Sequence, residues 1–157
     1  MSTVIYNKAK KIIEENDELV DDFGGAPKDI IKKAQITLDL EFPEDYKLFL
    51  SHFGALTFGS AEIYGVFRED FENSGVPDAV WVTLNERSLV NMPDYLVVIY
   101  NSGMGEMYCM NYKDLNDDNE PKITSYFPGF VDAAQENEVL YDSFAEFLLD
   151  IVTEEIN

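Results

Sequence analysis

The sequence predicts a single α+β domain: a mixed, largely antiparallel sheet flanked by helices. Three observations carry this. Residues 1–53 repeat apolar side chains at helical spacing, residues after Gly54 fall into short β-rich runs between turns, and the chain closes on one more amphipathic stretch. The 157 residues match the usual size of one domain, so residues 1–157 are read as one unit.

The helices come first. Val4, Ile5, Ala9, Ile12 and Ile13 behind Ser2 and Thr3 predict a helix over 3–19, with the two hydroxyl residues as its N-cap. The run Asp21-Asp22-Phe23-Gly24-Gly25-Ala26-Pro27 breaks it. Pro27 opens a second helix striped by Ile30, Ile31, Ala34 and Leu38. A third starts at Phe42-Pro43-Glu44-Asp45, with acids in its first turn, buries Tyr46, Phe49, Leu50 and Phe53, and stops at Gly54.

The texture then changes. Residues 62–67 predict a strand after a turn at Gly59, and 68–78 a polar loop. Residues 80–90 read as a short helix behind Pro77-Asp78. Residues 95–100 and 106–112 are strand-like and joined across Asn101-Ser102-Gly103-Met104-Gly105 as a hairpin. A polar turn over 114–121, a strand over 122–127 and a loop over 128–137 follow. Asp142 and Ser143 cap a last helix carrying Phe144, Phe147, Leu148, Ile151 and Val152.

Charge is the most informative bulk property. There are 31 acidic residues against 11 Lys and Arg, a formal charge of −20. Residues 1–53 carry a net −4 and residues 54–157 a net −16. Direct nucleic-acid binding is excluded because phosphate contacts need cations, and anionic membrane surfaces are excluded for the same reason. The longest purely apolar stretch, 96–100, is too short to cross a bilayer. The first residues show no apolar secretory core, and a single cysteine forms no internal disulfide, so the expected compartment is the cytoplasm. Such a field steers the protein toward a basic partner.

The catalytic inventory is thin. His52 is the only histidine and Cys109 the only cysteine, and no G-x-S-x-G nucleophile turn accompanies them. The stretch 114–125 superficially suggests a calcium loop. Its sixth place, which needs glycine, is Asn119, and its twelfth, which needs glutamate, is Ser125. The expectation is no enzyme activity, no catalytic residue, no metal and no cofactor. Aromatic residues make up 13% of the chain, and Tyr64, Trp81, Tyr108 and Tyr112 are expected on or beside strands.

The segment Phe42-Pro43-Glu44-Asp45-Tyr46-Lys47-Leu48-Phe49-Leu50, followed by Phe53-Gly54-Ala55, resembles the signature helix of the SUKH superfamily. That superfamily contains bacterial toxin-immunity proteins and fungal cell-wall-assembly regulators of the Smi/Knr type. Further segments fall in the same order: Glu62-Ile63-Tyr64-Gly65, Thr83 to Arg87, Tyr95-Leu96-Val97-Val98-Ile99, and Gly105-Glu106 with Tyr108-Cys109-Met110. The close over 142–149 is similar to the C-terminal helix of a bacterial antitoxin. The likeness covers roughly residues 27–150, with Phe53-Gly54-Ala55 standing where the superfamily usually has Asn-Gly-Gly.

The resemblance implies a non-catalytic protein that binds a cognate toxin, with a basic nuclease domain as the expected partner. Two other readings stand beside it: a regulatory scaffold of the cell-wall-regulator kind, and a small-molecule sensor with a pocket near Tyr64, Trp81 and Tyr108. The expected partner-binding residues are Asp114, Asp117, Asp118 and Glu120 of the acidic turn, with Glu106 and Trp81 as neighbours.

Overall fold

In the computed structural model, which describes residues 2–157, each helix forms where a local start signal meets an apolar stripe. Helix α1, Ser2–Glu15, buries Tyr6, Ala9 and Ile13 at intervals of three and four. Ser2 is already helical and does not act as the cap outside it; its hydroxyl serves another purpose described below. The helix expected over 3–19 stops at Glu15, and a separate 3-10 turn, Asp17–Leu19, follows it. Helix α2, Lys28–Leu38, follows Pro27 and ends on Asp39 in the left-handed region. Helix α3, Glu44–Phe53, follows Pro43 and stops where Gly54 takes φ 73°.

Helix α4, Ala79–Val90, is capped by Asp78, whose carboxylate accepts from the Val80 and Trp81 N–H groups at 2.9 and 3.1 Å. Helix α5, Phe144–Ile156, is capped by Ser143, whose Oγ accepts from Glu146 N at 3.2 Å. Glu146 reaches back one residue beyond the cap and accepts from Asp142 N at 3.0 Å.

The strands divide into two sheets. A three-stranded antiparallel sheet is ordered β1 (Val20–Asp22), β2 (Leu56–Phe58), β3 (Ala61–Ile63). A four-stranded antiparallel sheet is ordered β4 (Leu96–Asn101), β5 (Met107–Leu115), β6 (Pro121–Tyr126), β7 (Val139–Tyr141). The two meet where Tyr64 N donates to Ile99 O at 2.9 Å. The only parallel pairing is the isolated bridge between Gly65 and Asp78, among the described residues.

Strands β2 and β7 have no counterpart in the sequence reading, and three further details depart from it. Asp21 and Asp22, expected in a break, pair with Thr57 and Leu56 as an edge strand. The strand expected over 62–67 ends at Ile63, because Gly65 turns away so tightly against Gly54 that a side chain would not fit. Asp114, expected in a turn, ends up on β5, which runs on to Leu115.

The four-stranded sheet is covered on both faces. Val97, Ile99, Met110 and Ile123 join the larger core with the buried sides of α1, α2, α3 and α5. Leu96, Val98, Met107, Cys109 and Tyr126 face the other way, into a smaller core with Ala79 and Val82 of α4. The register shift between Val98 and Tyr100 is a bulge that lets Ile99 and Tyr100 both pack against the larger core.

Candidate partner-binding surface

The acidic turn is built around Asn116. Its Oδ1 accepts from Asp118 N at 2.8 Å and Glu120 N at 3.1 Å, so the amide takes over the donors that the tight bend leaves unpaired. Its Nδ2 donates to Asp142 O at 2.9 Å, tying the turn to the segment that enters α5. Asn119 supplies the left-handed residue, with φ 60°. Asp117 and Asp118 are thereby held at an exposed tip with their carboxylates free of the turn's own bonding.

The other two acids of the turn have partners. Asp114 pairs with Lys122 across the strands at 3.5 Å. Glu120 is partly buried; its Oε2 accepts from Ser2 Oγ at 3.3 Å, and its Oε1 is buried without a partner among the described residues. The turn is thus anchored to the N-terminus of α1 as well as to α5.

Beside the turn lies a groove of about 420 Å³ that the start of α3 completes. Glu41, Glu44 and Glu120 supply its carboxylates, and Pro43, Leu115 and Pro121 its apolar walls. Tyr112 Oη donates to Glu41 O at 2.8 Å and so joins β5 to the chain entering α3. Lys47 lines the same groove and pairs with Glu41 at 3.3 Å. Behind this wall sits Asp45, fully buried. Burial pushes its carboxyl up to about 6, against the N–H groups of Ala145 and Tyr46, which favour the charged form; nearby Glu120 pushes it further up.

A cationic side chain entering this groove would meet the exposed carboxylates of Glu41 and Glu44 beside the partly buried Glu120. Glu41 and Glu44 are missed by sequence reasoning. They lie some seventy residues from the turn, and nothing local links them to it.

The fold around this groove is that of a known family. The family model SUKH_5, described as SMI1-KNR4 cell-wall, matches residues 5–153. The chain belongs to the SUKH superfamily. No curated protein matches it.

In this SUKH domain the sequence-predicted site residues fall in three places. Asp114, Asp117, Asp118 and Glu120 come together on the β5–β6 turn. Glu106 stands at the opposite end of β5, eight residues before Asp114, roughly 26 Å along an extended strand. Trp81 is on α4, packed against the smaller core on the far face of the sheet. Neither neighbours the turn. Tyr64 and Trp81 share that far face while Tyr108 packs against the larger core, so the three expected to line one pocket do not converge.

The two reactive side chains are both engaged. Tyr6 Oη and His52 Nδ1 share a hydrogen bond of 2.7 Å, and burial, with Lys10 nearby, lowers the imidazole's pKa. Cys109 is fully buried, and burial pushes its thiol well above the ordinary range, with Glu86 adding to the shift. Among the described residues, no group of three or more His, Cys, Asp or Glu is arranged to hold a metal ion. Among the described residues, no helix is long and apolar enough to cross a membrane.

Proposed function

We propose that this SUKH protein is an immunity protein, which binds a cognate toxin in the producing cell and neutralises it by contact. The observation that carries the reading is the acidic groove between α3 and the β5–β6 turn, in a chain of formal charge −20. A toxin that acts on nucleic acid needs a basic surface for phosphate, and an acidic protein complements that surface in sign. Family membership supports the reading, because the superfamily includes immunity proteins of this kind.

Binding is the whole of the proposed mechanism. Long-range attraction speeds the encounter, and Asp117 and Asp118 at the exposed tip are placed to contribute to it. Glu41 and Glu44, exposed on the groove, then receive cationic side chains of the toxin. Neither His52 nor Cys109 takes part, since one is bonded to Tyr6 and the other is a buried thiol.

The test begins with the neighbouring open reading frame. Its product, expressed alone, should arrest growth, and co-expression of this protein should restore growth through a complex that survives gel filtration. A neighbour that is neither toxic nor bound, together with copurification of several unrelated cellular proteins, would replace this reading with the regulatory scaffold.

A further inference from the structure

A second surface lies where the four-stranded sheet meets α5. Tyr100 and Tyr108 are cross-strand partners beside the β4 bulge, with ring centroids 5.0 Å apart. Tyr141 of β7 joins them, 6.4 Å from Tyr108. All three rings lean on Phe147 of α5 at 5.3, 5.8 and 5.7 Å, and all three remain partly exposed. Tyr141 Oη donates to Asp150 Oδ2 at 2.6 Å. The hydroxyls of Tyr100 and Tyr108 have no hydrogen-bond partner among the described residues.

Carboxylates rim this shelf. Burial raises the Tyr108 hydroxyl's pKa first, and Glu106, Glu154 and Asp150 are close enough to raise it further. Asp150 and Glu154 are exposed on α5, and Glu106 is partly exposed at the start of β5. None of the three forms an ion pair among the described residues, where the pairs are Lys10–Glu14, Lys47–Glu41 and Lys122–Asp114.

A core closed by Phe147 has no need of three tyrosines with open edges, two of them with unused hydroxyls. Clustered, partly exposed tyrosine rings beside carboxylates outside any ion pair suit a guanidinium, which stacks on an aromatic ring while its N–H groups reach carboxylates and hydroxyls. An ammonium is a compact, strongly hydrated charge and gains less from the rings. We propose that the shelf formed by Tyr100, Tyr108 and Tyr141 with Glu106, Asp150 and Glu154 is a docking surface for an arginine-bearing segment of a basic protein. The proposal deepens the immunity reading and rests on it for the partner's identity. The acidic turn steers, and the shelf anchors, because tyrosine and arginine dominate binding energy where they meet in packed contacts.

The probe is a short synthetic peptide with three arginines, compared with its lysine counterpart, titrated into isotopically labelled full-length protein at about 0.15 M salt. The arginine peptide should shift amides of β4, β5 and β7 around the three tyrosines and bind at least about threefold tighter than the lysine peptide. The variant Glu106→Gln/Asp150→Asn/Glu154→Gln, altered only at exposed or partly exposed positions, should weaken the arginine peptide at least about tenfold. Asp117→Asn/Asp118→Asn should change it less than about twofold at this salt. Shifts spread over the whole acidic surface, equal for both peptides, would overturn the shelf. With a toxin encoded next door, full neutralisation by the triple variant would overturn the shelf and leave the immunity reading standing. A neighbour that is no toxin would overturn the immunity reading, and the peptide comparison would then decide the shelf by itself.

Discussion

Asp45 Oδ2 accepts the backbone N–H of Ala145 at 2.9 Å, joining residues one hundred positions apart. Its Oδ1 accepts from its own helix at Tyr46 N, 2.8 Å away. One buried carboxyl therefore serves the first turns of both α3 and α5, and it locks the groove's back wall to the last helix.

This carboxyl makes stability depend on pH in a defined direction. Burial raises it from 3.8 to about 6, so between these values the folded protein holds a proton that the unfolded chain releases. The stability from that proton is fully present below 3.8 and is lost as pH rises through about 6. Asp45→Asn has no such proton to lose. Urea unfolding from pH 4 to 7 should show wild type losing ground to the variant by an amount on the order of 3 kcal/mol. A difference that does not change with pH would mean Asp45 ionises as an exposed carboxyl does.

Phe49 is fully buried; it stacks on Tyr46 at 5.9 Å, meets Phe53 at a tilt at 5.8 Å and Phe144 edge-on at 5.2 Å. Phe49→Ala should cost about 3–5 kcal/mol, a large share of the roughly 5–15 kcal/mol that holds a domain together. Thermal melting checks this. A variant that melts like wild type yet loses its partner would place the Phe49 stripe itself in the interface.

Asn116 makes three side-chain hydrogen bonds and is nearly buried. Removing them with Asn116→Ala should cost about 1–3 kcal/mol, because donors and an acceptor lose partners that water replaces poorly. Amide exchange at Asp118 and Glu120 should accelerate beyond the change seen elsewhere. Uniform exchange across the protein would show that the turn is held by its neighbours instead.

Asp117→Lys/Asp118→Lys should leave the fold intact, since both side chains stand free at the tip. Single exposed ion pairs contribute only about 0–1 kcal/mol, so the effect should appear in association rate rather than in loss of binding. Stopped-flow association with the toxin at rising ionic strength should show the variant slower at low salt, with the two curves converging at high salt. Superimposable curves would remove the turn from the encounter.

Cys109 should resist thiol reagents in the native protein and react once urea unfolds it, because its thiolate is disfavoured by burial. Rapid stoichiometric labelling of folded protein would show that β5 opens to solvent.

What the sequence by itself determines is whatever a short window can encode. Helix α3 is legible because Pro43, the acids of its first turn, the Tyr46–Phe49–Leu50–Phe53 stripe and Gly54 all lie within a dozen residues. The same holds for Asp78 before α4 and Ser143 before α5, and for the acidity of residues 54–157. Strands β1, β2 and β7 are not legible, since three residues carry no periodicity and each exists only through its pairing partners. Tertiary structure alone decides that the strands form two sheets, that Glu41 and Glu44 join Glu120, and that Trp81 and Glu106 stand apart from the turn. It alone brings Tyr141 beside Tyr108. Each of these depends on backbone pairing or helix packing between residues far apart in the chain, where the partner rather than the local pattern fixes what a side chain meets.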